Sequence, residues 1–131
     1  MDQALNNLNI RLPIIELKIG IYSIQAEVAE ALADRKFGLK DRTSLPTDSG
    51  MLFVFEQDQK DCFWMRDTKI SLAIAFITED GKIANIEEMQ AETTDSHCPE
   101  VPVRYALEMN KQWFSERGIV PGSTIIGLPK R

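Results

Sequence analysis

Apolar and polar positions alternate along the first part of this chain. From Ile14 to Val28 the run IIELKIGIYSIQAEV places apolar residues at every second position, with a break at Gly20. That is the period of half-buried strands, and it predicts two strands joined by a tight turn. The period then changes: Ala31, Leu32, Arg35 and Leu39 recur at helical spacing, and Gly38 is placed to end a short helix. The run DRTSLPTDSG collects turn-forming residues and predicts a loop. Three β segments follow, MLFVFE, CFWMR and SLAIAFI, then a hairpin turn at Asp80-Gly81 and a returning strand KIANIEEM. The polar stretch from Gln90 to Pro102 reads as a long loop, and VRYALEM as the next strand. Asn110 is placed to cap a short helix KQWFSERG closed by Gly118, and VPGSTIIGL supplies a turn and a last strand.

Many short strands with two short helices predict a β-rich α+β fold, a single compact barrel- or sandwich-like antiparallel sheet domain over residues 14–131. Residues 1–13, polar and amide-rich at their start, are expected to form a flexible N-terminal tail. With 44% hydrophobic and 27% charged residues the composition is that of a packed globular protein. A net charge of -5 argues against partners that need a basic field, so no nucleic-acid partner is expected. The nearest approach to a basic cluster is the dispersed set Arg35, Lys36, Lys40 and Arg42, offset by Asp34 and Asp41. No apolar run reaches the ~18 residues of a membrane span, so no transmembrane segment is expected. The chain is expected to be a monomer.

Side chains alternate across a strand, so CFWMRDT puts Cys62, Trp64 and Arg66 on one side and Phe63 and Met65 on the other, facing the core. Trp64 and Arg66 then form a pair suited to cation–π contact or to stacking a planar group. In SLAIAFI the same parity leaves Ser71, Ala73 and Ala75 as a face of small residues, either the floor of a groove or the seat of a covering helix. In VRYALEM it leaves Arg104, Ala106 and Glu108 as a polar face, and an ion pair between Arg66 and Glu108 on adjacent strands is expected. Thr68 and Asp67 also suit closure of the strand by bonding the turn.

Cys62 and Cys98 are the two cysteines and His97 the single histidine. A disulfide, a metal site and two free thiols all fit, and free thiols are the default because spacing alone fixes no bridge. A metal site would need a further ligand such as Asp95 and lacks paired spacing, so neither a metal nor a cofactor is expected. Adjacent His97 and Cys98 point apart on most backbones, which disfavours a nucleophilic pair.

The motifs GLKDRTSLPTDSGMLFVF, FWMRDT, LAIAFITEDGKI, RYALEM and GIVPGS, in this order, resemble domain-of-unknown-function family 192 from about Ile14 to the C-terminus. The resemblance marks Gly38, Leu39, Arg42, Gly50, Met51, Phe53, Phe55, Phe63, Trp64, Met65, Arg66, Thr68, Phe76, Gly81, Leu107, Glu108 and Gly118. Lys40, Asp67 and Ala73 depart from the family's usual methionine, asparagine and aspartate. The resemblance implies a small β-rich protein, exported to the periplasm or secreted, with no established activity. Together these point to a binding module for a small polar or glycan-like ligand at Arg42, Trp64, Arg66, Thr68 and Glu108. The alternatives are a small enzyme or an envelope protein-interaction domain.

Overall fold

A computed structural model of the protein describes residues 11–130. Among these, six strands form one sheet: β1 (Ile14–Ile19), β2 (Tyr22–Ala29), β3 (Ser49–Gln59), β4 (Leu72–Ile77), β5 (Ile83–Met89) and β6 (Val103–Asn110). Two short helices accompany them, α1 (Leu32–Phe37) and α2 (Trp113–Glu116). The strands lie in the order β1-β2-β3-β6-β4-β5. The β-rich fold with two short helices is the one the pattern predicts, with one correction to its antiparallel sheet. Strands β2 and β3 run parallel, and the other neighbours antiparallel, so the sheet is mixed. A parallel pair cannot be joined by a tight turn and needs a crossover of about a dozen residues or more. The segment that carries α1 provides it, and Gly38 ends that helix at positive φ as expected.

The sheet is open, with β1 and β5 at its edges, and the C-terminal segment bonds to both. Lys18 N donates to Ile126 O at 3.0 Å, Ile126 N returns a bond of 2.8 Å, and Ile83 N donates to Ser123 O at 2.9 Å. The strand predicted in VPGSTIIGL is therefore reduced to isolated bridges that blunt both sheet edges.

Both faces of the sheet are covered, which is why MLFVF and LAIAFI read as continuous apolar runs. On the first face Leu52, Val54, Ala73, Ala75, Leu107 and Met109 pack with Trp113 and Phe114 of α2. The small residues Ala73 and Ala75 are fully buried there, so of the two readings of that face close packing under a cover is correct. On the second face Met51, Phe53, Phe55, Leu72, Ile74, Phe76 and Ala106 pack with Leu39, Leu45 and Met65. The crossover and the chain around Met65 thus cover this second face.

Two local expectations are corrected. CFWMR is not a strand of the sheet: it makes an isolated bridge between Phe63 and His97, and a turn follows in which Thr68 N donates to Met65 O at 3.0 Å. Asp67 sits in that turn at φ 63°, a conformation that aspartate and asparagine tolerate better than most residues, and it ends the extended run. Asn110 does not cap α2; its amide donates to Leu45 O (2.8 Å) and Pro46 O (3.2 Å), tying the crossover to β6. Residues 1–10 of the expected tail lie outside the described residues. At its end, Pro13 O accepts a bond of 2.8 Å from Val28 N, and Leu12 packs against the second-face core.

Candidate functional site

Strand β6 lies in the middle of the sheet, between β3 and β4, and Glu108 lies opposite Met51 on one neighbour and Ile74 on the other. Both neighbours are buried apolar residues, so the glutamate is surrounded laterally by hydrocarbon. Only 5% of Glu108 is exposed, and among the described residues its carboxyl has neither an ion-pair nor a hydrogen-bond partner. Burial alone pushes its pKa up to about 8, because the charged form loses hydration and gains nothing in exchange. Burial thus favours the protonated acid near neutral pH. Gly50 on β3 lets the backbones of β3 and β6 approach closely: a Cβ there would collide with the Glu108 backbone O and, on the opposite face from the carboxyl, with the Met109 thioether.

The carboxyl lines a cleft of about 480 Å³ on the second face. One wall is the crossover, with Arg35, Lys36, Phe37, Gly38, Leu39 and Lys40. The other is the irregular segment with Asp61, Cys62, Phe63, Trp64, Arg66 and Thr68. Phe53 and Phe55 of β3 form the floor, and the Phe63 ring meets them edge-on at centroid distances of 5.1 and 6.3 Å. Arg35 spans the floor's edge, its guanidinium 5.7 Å from the Phe55 ring centre.

The second wall is fastened at several points. Phe63 N donates to His97 O at 2.7 Å, His97 N returns 2.8 Å, and Met65 N donates to Thr93 O at 3.1 Å. This bridge sets the neighbouring Cys62 and Cys98 side by side, and they form a disulfide. The free-thiol default is thereby overturned; the determining contact is a two-residue bridge between two irregular segments, which no spacing rule reports. His97 Nδ1 lies 2.7 Å from Glu87 Oε1, while its buried Nε2 has no hydrogen-bond partner among the described residues. Among the described residues no group of three His, Cys, Asp or Glu side chains is placed to hold a metal.

Four of the five ligand-binding candidates, Trp64, Arg66, Thr68 and Glu108, line the same cleft. Trp64 is half exposed at its rim, and the Arg66 guanidinium lies 5.5 Å from its ring centre, the expected cation–π pair. The expected ion pair between Arg66 and Glu108 is not formed. Arg66 stands in the far wall of the cleft rather than on an adjacent strand. Arg42 is not part of the cleft lining. It makes a bidentate pair with Glu27, both bonds 2.8 Å, which raises its pKa and ties the crossover to β2. Sequence reading passed over the aromatic floor and the crossover cations. The dispersed set Arg35, Lys36 and Lys40 was visible, but only the parallel crossover brings it over the same face as Glu108.

The chain belongs to the DUF192 family, described as an uncharacterised ACR, whose model matches residues 15–127. Two solved structures share its fold. One is a protein from Sinorhizobium meliloti described as a candidate transcription regulator, 26% identical, covering 92% of this chain and 98% of its own, with a TM-score of 0.88. Another is a protein of unknown function from Novosphingobium aromaticivorans, 28% identical, covering 88% of this chain and 86% of its own, with a TM-score of 0.85. No protein with a curated description matches the sequence. Among the described residues no helix is long and apolar enough to cross a membrane.

Proposed function

We propose that this chain is a binding module that takes a small ligand into the cleft between the crossover and the disulfide-fastened wall. A planar or apolar ring face, a glycan-like ring included, lies against Phe53, Phe63 and Trp64, and polar groups of the ligand meet Thr68 and Glu108. The observation that carries this reading is the Glu108 carboxyl, which has no partner among the described residues and lies at the cleft. A polar group at the base of an open cleft is met by water or by a ligand, and a ligand group at that position takes the water's place as partner of the carboxyl.

A second reading, a small enzyme, draws on the same residue, because a carboxyl that stays protonated at neutral pH inside a cleft is equipped as a general acid. The Cys62–Cys98 bridge supports work in an oxidising compartment such as the periplasm or the cell exterior. The net charge of -5 gives no support to the transcriptional role named for the Sinorhizobium relative.

Amide and methyl NMR spectra recorded against a library of ring polyols and heteroaromatic fragments test the binding reading. Hits that shift Phe63, Trp64, Thr68 and Glu108 together, and are lost in Glu108→Leu, support it. A library with no hit at these residues refutes it. Conversion of a hit to product, abolished in Glu108→Gln, would favour the enzyme.

A further inference from the structure

The cleft carries the opposite charge from the rest of the molecule. The chain has a net charge of -5, yet the cleft lining brings together four cations, Arg35, Lys36, Lys40 and Arg66, against two carboxyl groups, Asp61 and the buried Glu108, whose charge burial disfavours. Among the described residues Lys36 and Lys40 make no ion pair and Arg66 contacts the Trp64 ring, while their chain neighbours Asp34, Asp41 and Asp67 lie outside the cleft lining. Cations gathered over a low-dielectric floor focus a positive potential into the opening. An anion in the opening relieves their mutual repulsion.

The surface between the cations is apolar. Leu32 and Phe37 on α1 are 57% and 54% exposed and line the cleft on the side opposite Trp64. The apolar floor therefore continues outward to the level of the charges. Such a surface suits an apolar or aromatic body with an acidic group at its outer end.

Resting on the binding reading above, we propose that the cleft's ligand is an anionic amphiphile. Its apolar or aromatic body lies on the phenylalanine floor, and its carboxylate, sulfonate or phosphate group is held at the rim by Lys36, Lys40 and Arg66. The cations draw the ligand in and select its charge, and the floor supplies the burial that holds it.

Three matched probes test this at pH 6.5 by heteronuclear NMR titration: naphthalene-2-sulfonate, uncharged naphthalene-2-methanol and 2-naphthylmethylammonium. Inorganic phosphate is a fourth arm. The sulfonate is expected to bind at least about tenfold more tightly than the alcohol and the ammonium probe most weakly, with phosphate alone not shifting the floor residues. The sulfonate's advantage is expected to shrink as salt is raised from about 0.05 to 0.5 M. Lys36→Glu together with Lys40→Glu should abolish the sulfonate's advantage over the alcohol, and because both side chains make no bond to other described residues, an unchanged thermal midpoint confirms that the variant is folded. Alcohol or ammonium binding as tight as sulfonate binding would overturn the charge assignment and leave the binding reading standing. Absence of binding by every probe would remove both.

Discussion

Phe63 and His97 exchange backbone hydrogen bonds of 2.7 and 2.8 Å across two irregular segments, and the neighbours that follow from this pairing, Cys62 and Cys98, are disulfide-bonded. The bond joins positions 36 residues apart. By the chain-entropy argument a loop of that length restrains the unfolded chain by about 4 kcal/mol. Reduction, or the double change Cys62→Ser with Cys98→Ser, is expected to lower the thermal midpoint by roughly 10–20 °C. Calorimetry with and without a dithiol reductant checks this. A shift of only a degree or two would mean that the backbone bridge alone holds the wall.

Phe63 and Trp64 are neighbours with different duties. Phe63 is half buried and packs against Phe53, Phe55 and Phe76, with centroid distances of 5.1, 6.3 and 5.9 Å. Trp64 is 52% exposed and touches the Arg66 guanidinium from the cleft rim. Phe63→Ala is expected to cost about 3 kcal/mol, toward the low end for a phenylalanine truncation because the ring is not fully buried. Trp64→Ala should cost less than about 1 kcal/mol, since it removes surface packing rather than core. Urea unfolding of both variants gives the comparison, and a Trp64 variant less stable than the Phe63 variant would place the indole in the core.

The alternation in CFWMRDT was readable although the strand it suggested was not formed. Met65 is buried, Phe63 packs inward, and Cys62, Trp64 and Arg66 face outward, because an extended segment alternates its side chains whether or not a ladder holds it. The burial of Glu108 was not readable in the same way. In VRYALEM it falls at a polar position of an alternating run, which predicts exposure; the crossover that covers its face comes from a parallel pairing about 60 residues earlier in the chain. Local pattern reports which side chains share a face. It does not report what lies over that face, and the covering segment is what turns a surface glutamate into the base of a cleft.

Gly50 is needed because β3 and β6 approach closely there. A Cβ at this position would overlap the Glu108 carbonyl oxygen and the Met109 sulfur, one of them backbone and unable to yield without moving β6. Gly50→Ala is therefore expected to destabilise the protein by about 2 kcal/mol or more, within the range for overpacking a dense core. NMR of the folded variant should show its largest changes at residues 107–110 and in the cleft. Stability equal to the parent would show that the two strands have slack at this point.

The buried Glu108 carboxyl makes stability depend on pH in a direction opposite to that of a salt-bridged acid. Its folded pKa is raised to about 8 from an ordinary value of 4.5, with apolar Met51 and Ile74 on either side and Asp61, Arg35, Lys36, Lys40 and Arg66 as the charged groups lining the cleft. Between those values the folded protein holds a proton that the unfolded chain has released. The favourable contribution is thus complete below about pH 4.5 and is lost as pH rises through about 8. The difference across the window is on the order of 4 kcal/mol. Glu108→Gln replaces the acid by a neutral amide of similar shape and cannot release a proton. The parent should therefore lose stability in denaturant unfolding between pH 5 and pH 8 relative to this variant, the gap widening with pH. Curves that run parallel over that range would mean that Glu108 is ionised in the folded state and has found a partner or water that the unpaired geometry does not provide.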